Sequence, residues 1–103
     1  MRHVQIAASA RSFFQTMLEQ GADKFGLAVA MEKERLVYQT LESQVAEDPH
    51  LGIYDQHLNL FTYHVSETPF VLVYEYDETD VRVLFIVHER ADRRRLDTAN
   101  VAW

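Results

Sequence analysis

The sequence predicts an α+β domain in which a short N-terminal strand and a two-helix hairpin precede an antiparallel sheet of three strands (β-α-α-β-β-β). Two patterns carry this prediction. Over residues 10–46 apolar side chains recur at the three- and four-residue spacing of a helix face. Over residues 58–88 the chain is instead rich in β-branched and aromatic residues. Because 103 residues suffice for one core, we expect a single domain over 1–103, of which about 93–103 form a C-terminal tail.

Two helices are predicted in the first half of the chain. The first begins near Ala10, where apolar residues follow the i, i+3, i+4 pattern, and is expected to end at Gly21. A second helical zone runs from about Asp23 to Ala46. It is apolar on two sides, so we expect it to touch both its partner helix and the sheet. Its candidate core stripe consists of Leu27, Ala30, Val37, Leu41 and Val45.

Strands are predicted in the second half. Pro49 and Gly52 break the helical pattern, and a loop is expected to lead from there to Asn59. Short connections between the following strands imply antiparallel pairing, and residues 2–6 can add an edge strand. In the last two strands both alternating sets of side chains are largely apolar, so the second face of the sheet needs cover from the chain's own tail or from another protein. The predicted strands are Leu58–Val65, Phe70–Tyr76 and Val81–His88.

Composition narrows the function classes. The chain has 10 Lys and Arg against 16 Asp and Glu, and this net charge of −6 argues against a plain nucleic-acid binder. It has no cysteine, which excludes disulfides, thiolate metal sites and cysteine nucleophiles. The histidines show no metal-ligand spacing, so we expect no metal and no cofactor. The longest uninterrupted apolar run, Phe70 to Tyr74, is too short to span a membrane, and we expect a cytoplasmic protein without membrane contact.

The positive charge is concentrated near the C-terminus. From Arg82 to Arg95 five arginines stand against two carboxylates, which is a local charge of +3. Such a patch binds phosphates or an acidic protein surface. The alternative is a solvated tail whose arginines pair with the acidic turn at 77–80. The candidate residues for binding a partner or target are Arg82, His88, Arg90, Arg93, Arg94 and Arg95, with Tyr74 as a core or partner-binding aromatic.

His88 and Arg90 are the pair best suited to metal-free RNA cleavage. That reaction needs a base for the ribose 2′-hydroxyl, an acid for the leaving oxygen and cations on the phosphate. A histidine can accept and donate a proton near neutral pH. Two residues apart in an extended segment, the side chains of His88 and Arg90 lie on one side. The alternative is structural: His88 bonds locally at the strand end, and Arg90 pairs with Glu89, Asp92 or Glu75.

Five short segments, taken in order, match a known pattern. They are Ala10 with Phe13-Phe14, the start of the second helix at Gly26, Leu27 and Ala30, the break Pro49-His50-Leu51-Gly52, the strand Pro69-Phe70-Val71-Leu72-Val73-Tyr74 and the closing Val83-Leu84-Phe85-Ile86-Val87-His88-Glu89-Arg90. With these segments the chain resembles the RelE/ParE superfamily of small bacterial toxins. Members of that superfamily share an N-terminal strand, a helical hairpin and a C-terminal antiparallel sheet. The resemblance implies a toxin of a type II toxin–antitoxin pair, wrapped and neutralised by a flexible segment of a cognate antitoxin.

The resemblance divides into two mechanisms. RelE-like members cut messenger RNA on the ribosome without metal, and would use His88 and Arg90, whereas ParE-like members poison DNA gyrase. RelE-like nucleases place an arginine in the strand just before the position of Tyr74, where this chain has Val71 and Val73. We therefore expect a ParE-like toxin that binds a cellular target such as DNA gyrase. A RelE-like endonuclease is the alternative, and a non-toxic relative that forms a homodimer or holds a partner is the third.

Overall fold

Within residues 2–103, which the computed structural model describes, five strands form one sheet. They are β1 (His3–Ile6), β2 (Ile53–Asp55), β3 (Leu60–His64), β4 (Phe70–Tyr76) and β5 (Asp80–His88). Their order across the sheet is β1-β5-β4-β3-β2. The pair β1 and β5 is parallel, and the other neighbours are antiparallel. The predicted α+β class is confirmed, and residues 3–6 form the expected edge strand.

Two helices connect β1 to the rest of the sheet. They are α1 (Ala8–Phe25) and α2 (Leu27–Thr40), and a π-helical turn (Leu41–Val45) extends α2. The prediction that α1 ends at Gly21 is wrong. The break falls at Gly26, whose φ of 96° is a backbone conformation that residues with a side chain rarely adopt. None of the helices within residues 2–103 is both long and apolar enough to cross a bilayer.

The sheet has one strand more than the sequence predicts. β2 lies in the segment predicted as a loop, where it pairs with β3 after a short 3₁₀ turn (Pro49–Leu51). It has only three residues, and the side chain of Ile53 is 76% exposed. A strand this short and this exposed has no alternation for a sequence pattern to detect.

The helices pack on one face of the sheet. Phe14 of α1 meets Phe70 of β4 edge-to-face, with ring centroids 5.0 Å apart. The predicted stripe on α2 is buried at Ala30, Val37, Leu41 and Val45. It is wrong at Leu27, which is 67% exposed because it directly follows the Gly26 break at the tip of the hairpin.

The tail covers the second face of the sheet. A separate apolar cluster forms there, and Leu96 and Val101 pack against it. The Ser9 backbone N–H donates a hydrogen bond to the Ala102 carbonyl at 3.0 Å, which ties the end of the tail to the start of α1. Of the two covers predicted for this face, the chain's own tail is therefore the one observed. The buried members of the cluster are Leu58, Leu60, Val71, Val73, Leu84 and Val87.

Candidate functional site

A bulge in β5 decides on which face His88 lies. Leu84 has no partner in β4, because its neighbours Val83 and Phe85 pair with consecutive residues of β4. Side chains beyond Leu84 therefore change face, and Val83 and Ile86 both pack in the helix-side core. His88 follows Ile86 by two residues and so also lies on the helix side, where it lines a cleft.

His88 is held by the turn that follows β5. Its Nδ1 atom accepts a hydrogen bond from the Arg90 backbone N–H at 3.1 Å, and its carbonyl accepts one from the Ala91 N–H at 2.9 Å. The neutral imidazole then carries its proton on Nε2, and it offers a ligand a donor rather than an acceptor. The structure thus joins His88 and Arg90 through the Arg90 backbone, and within residues 2–103 no hydrogen bond links the guanidinium to the imidazole.

The Arg90 guanidinium has no ion-pair partner within the described part of the chain, because the three carboxylates predicted as its alternatives are engaged elsewhere. Glu89 lies against a histidine of β3, Glu75 against the arginine near the start of β5, and Asp92 against the arginines that follow it. The side chain of Arg90 is exposed. The observed pairs are His64–Glu89 at 3.2 Å, Arg82–Glu75 at 3.2 Å and Arg94–Asp92 at 3.1 Å.

The three arginines of the short 3₁₀ turn after β5 (Arg93–Arg95) differ in their pairing. The carboxylate of Asp92 accepts a hydrogen bond from the Arg94 Nε atom at 3.1 Å, and the Arg95 Nε atom lies 3.6 Å away. The hydrogen bond from the Arg94 side chain is the main reason that the pKa of Asp92 lies below its usual value. Arg93 makes no side-chain hydrogen bond or ion pair within residues 2–103. The unpaired cations of this segment are therefore Arg90 and Arg93.

Arg82 lies apart from this segment. It contacts Asp77 at 3.0 Å and Glu75 at 3.2 Å, so two carboxylates neutralise one guanidinium. The Asp77 side chain is the largest cause of the raised pKa of Arg82. Six residues of extended strand separate Arg82 from His88, which is roughly 20 Å at the usual rise per residue. The structure does not bring Arg82 into one site with His88.

Tyr74 is buried and not at the surface, which disagrees with the prediction that it contacts a partner. Its hydroxyl donates a hydrogen bond to the Pro49 carbonyl at 2.6 Å. Burial raises the pKa of Tyr74 to about 12. Gly52 lies so close that a Cβ there would overlap the hydroxyl. Tyr74 therefore anchors the turn before β2.

A cleft on the helix side of His88 was not predicted from the sequence. This hairpin cleft lies between α1, α2 and the start of β4, and it has a volume of about 220 Å³. Lys24 and Lys33 line it, and they are the two lysines of the chain. Neither forms a salt bridge with another residue of the described range 2–103. The sequence feature that could have indicated the cleft is the position of the two lysines, one before and one after the break at Gly26.

The arrangement favours binding over proton transfer. RNA cleavage by His88 needs a lone pair to act as a base, but Nδ1 already accepts the Arg90 N–H and Nε2 carries the proton of the neutral form. Val71 and Val73 stand where a RelE-like nuclease would need a phosphate-binding arginine, and both are buried on the tail side. No cluster of three His, Asp or Glu side chains suited to a metal ion occurs within residues 2–103.

Comparison with known proteins gives a likeness of structure but not of sequence. No family model matches the chain, and no curated protein matches it. Among solved structures, a chain of the chromosomal ParDE TA system from P. aeruginosa superposes with a TM-score of 0.74 at 11% sequence identity. The match covers 85% of this chain and 96% of that one.

The shared feature is the fold. The two chains share a fold over the matched part, and the N-terminal strand, helical hairpin and C-terminal sheet of this chain appear in the order that the sequence predicts. At 11% identity it does not carry over any function or any site residue. The role of the segment from His88 to Arg95 therefore has to be inferred from the geometry of this chain.

Proposed function

We propose that this chain is the toxin component of a bacterial type II toxin–antitoxin pair, and that it acts by binding a cellular target. The likeness to a chain of a ParDE system, which extends over most of both chains, is the observation that carries the proposal. The cognate antitoxin is the partner that keeps it inactive, and both act in the cytoplasm. Growth inhibition is the expected outcome when the chain is expressed without that partner.

The proposed target-binding surface is the segment from His88 to Arg95. This segment directly follows β5. Two of its guanidiniums, those of Arg90 and Arg93, have no ion-pair partner within residues 2–103. Unpaired cations, exposed at Arg90 and half-buried at Arg93, attract an acidic surface on the target and orient the encounter. The target protein therefore needs a negatively charged patch to bind this segment.

DNA gyrase is the proposed target, and the direct test uses purified gyrase and relaxed plasmid. We expect micromolar toxin to inhibit supercoiling. The variant Arg35→Ala is the matched control, because Arg35 pairs with Glu32 on the exposed side of α2, away from the proposed surface. Full supercoiling at micromolar wild-type chain would contradict the assignment to gyrase.

An endonuclease of the RelE type is the second candidate, because His88 offers a proton donor on Nε2 and the exposed, unpaired side chain of Arg90 follows two residues later. It predicts that messenger RNA is cleaved on translating ribosomes and that His88→Ala abolishes the cleavage. Intact messenger RNA in the presence of the wild-type chain would eliminate this candidate. Normal growth on expression would favour the third alternative, a non-toxic relative that holds a partner or forms a homodimer.

A further inference from the structure

The helical hairpin has a second concave surface besides the hairpin cleft. This outer groove lies between α1 and α2, has a volume of about 140 Å³ and is lined by helix residues alone. Leu18 and Ala30 line both surfaces, so the contact between the two helices separates them. At roughly 100° per residue, the remaining lining residues of each helix lie on different sides of this contact. Those that distinguish the outer groove include Glu19, Leu27, Met31 and Glu34.

The two surfaces carry opposite charge. Lys24 and Lys33 line the hairpin cleft, where no carboxylate of the described residues 2–103 takes part. Glu19 and Glu34 line the outer groove, which contains no lysine or arginine from that range. None of the four forms a salt bridge within the described chain. The Glu34 carboxylate accepts one hydrogen bond, from a neutral glutamine amide of α1. Two unpaired cations on one side of the hairpin are therefore matched by two unpaired anions on the other.

Exposed apolar side chains border both surfaces. Phe25 and Val29 are exposed beside the hairpin cleft, and Leu27 and Met31 are exposed beside the outer groove. All four lie near the tip of the hairpin, where the chain turns at Gly26. Large apolar side chains that stay exposed beside a concave surface are typical of protein-binding sites. Each side of the tip therefore combines an apolar contact area with charge of one sign.

The hairpin cleft and the outer groove are complementary to each other. The carboxylates of an outer groove can pair with the ammonium groups of a hairpin cleft, and both surfaces bring apolar side chains to the contact. An acidic partner would match the cleft alone, and a basic partner would match the groove alone. A second copy of this chain carries both surfaces, so the charges of both are satisfied when copies associate.

The size of the two surfaces favours protein side chains as their occupants. Their volumes of about 220 Å³ and 140 Å³ lie below the roughly 300–1,000 Å³ typical of cofactor and small-molecule sites. One or two large side chains fill such a volume. Leu27 and Met31 at the edge of the outer groove can supply them to the hairpin cleft of a neighbouring copy.

We propose that copies of this chain associate head to tail, with the outer groove of one copy against the hairpin cleft of the next. Glu19 and Glu34 of one copy then pair with Lys24 and Lys33 of its neighbour. A twofold contact that uses the same side of both hairpins places like charges opposite each other, so the contact is heterologous. It leaves one free side at each end and is not limited to two copies. The proposal goes beyond the proposed function, because it holds whether or not the chain inhibits growth.

Sedimentation velocity of the purified wild-type chain, from micromolar to millimolar concentration, tests the self-association. We expect the weight-average mass to rise with concentration and to pass the mass of two copies at the upper end. Because the contact is confined to the hairpin, we expect it to be weaker than an interface of standard size. High salt should weaken it further, since exposed ion pairs contribute to it.

Two double variants give each copy two sides of the same charge. Lys24→Glu with Lys33→Glu makes both sides acidic, and Glu19→Lys with Glu34→Lys makes both sides basic. Each variant alone should associate about tenfold more weakly than wild type or worse. Mixed in equal amounts, the two should associate again, because the acidic sides of one meet the basic sides of the other. Circular dichroism checks that both variants are folded.

Two further variants separate local contact from overall charge. Arg94→Glu with Arg95→Glu lowers the net charge as much as the double lysine variant does, but outside the hairpin, and should associate within about twofold of wild type. Leu27→Ser with Met31→Ser leaves every charge in place and removes apolar contact area from the outer groove. It should weaken the association by about tenfold.

Several results would overturn the proposal. They are a wild-type chain that stays monomeric at millimolar concentration, a mass that levels off at two copies, wild-type association by either variant of the hairpin charges, and a mixture of those two variants that does not associate. Growth arrest is not part of this test, so a failure of the head-to-tail proposal and a failure of the toxin proposal are distinguishable.

Discussion

Arg82 near one end of β5 contacts two carboxylates, whereas Arg90 just beyond the other end contacts none within residues 2–103. The first, closed end comprises Arg82, the turn before it and the nearby Tyr74. The second, open end comprises the segment from His88 to Arg95 together with the hairpin cleft. Both ends carry arginine, but the arginine at the closed end is paired with carboxylates and Arg90 at the open end is not.

The contrast between the two ends shows that counting arginines in the sequence overstates how many are free to bind a partner. Of the five arginines counted in the positive patch, Arg82 is neutralised at the closed end, and Arg94 and Arg95 share Asp92. The closed end should therefore respond to substitution mainly through stability, and the open end mainly through binding.

The largest effect is expected at the closed end. Gly52→Ala drives a methyl group into the Tyr74 hydroxyl and should destabilise the fold by about 2 kcal/mol. Tyr74→Phe removes the shorter of the two hydrogen bonds to the Pro49 carbonyl, leaving the one from the Gly52 N–H at 3.4 Å, and should cost about 1–2 kcal/mol. Because Tyr74→Phe also removes the hydroxyl, which is the atom closest to the added methyl group, the double variant should be less destabilised than the sum of the two. Urea unfolding measures all three, and strict additivity would contradict the proposed contact.

The open end should lose binding without losing stability. The double variant Arg90→Ala with Arg93→Ala should raise the toxin concentration that half-inhibits gyrase by about tenfold, because both guanidiniums are free to meet the target. The matched control is Arg94→Ala with Arg95→Ala, which removes the same number of charges from two arginines that share the carboxylate of Asp92. Its expected effect is about twofold or less. Equal effects of the two double variants would contradict the distinction drawn between paired and unpaired arginines.

The two glycines of the hairpin should respond with opposite sign. Gly26→Ala forces a side chain into a positive φ and should destabilise the fold by about 1 kcal/mol or more. Gly21→Ala improves a helix interior with free space around the new methyl group, and should stabilise it by about 0.5–1 kcal/mol. Thermal unfolding of both variants measures the difference. Stabilisation by both would mean that Gly26 does not hold the break between the helices.

The smallest effect concerns the acid response of the closed end. Hydrogen bonds from the backbone N–H groups of Thr79 and Asp80, and then from Arg82, hold the pKa of Asp77 well below its usual value. A carboxylate with a lowered pKa contributes stability at higher pH, and this contribution is lost as pH falls below the unfolded value of about 4. In the Asp77→Asn variant the unfolding midpoint should therefore decrease less steeply below that pH than it does in wild type.

Asp23→Asn is the control for the acid response, because Asp23 is exposed near the end of α1 and outside the turn. Its unfolding midpoint should follow the wild-type pH curve. A change of the same size in both variants would show that the general loss of negative charge, and not the turn, governs the acid response.

The sequence was sufficient for the elements that have long patterns. The helical zones and the three long strands appear where periodicity or β-branched runs predict them. The end of α1 was misplaced at Gly21 because a lone glycine does not reveal its φ, which the tertiary arrangement of the hairpin determines. β2 was missed because three residues, two of them exposed, are too short a strand for a pattern of alternation.

The candidate site was less predictable than the fold, for physical reasons. The face on which His88 lies depends on the unpaired Leu84, and that bulge exists only in the pairing with β4. The hairpin cleft joins residues of α1 and α2 to Phe70 and His88, which are far apart in the chain. Whether an arginine is paired depends on which carboxylate the fold brings next to it. A local sequence pattern does not predict that contact.

The central claim is that the chain is a toxin that acts through its open end, and growth arrest tests it most directly. Wild type, Arg90→Ala with Arg93→Ala, and the control Arg35→Ala are expressed in a bacterial host from a tightly repressed promoter, and colonies are counted after induction. We expect wild type and Arg35→Ala to abolish colony formation and the double variant to restore it while remaining folded. Undiminished colony counts with the wild-type chain, or arrest by a folded double variant, would contradict the claim.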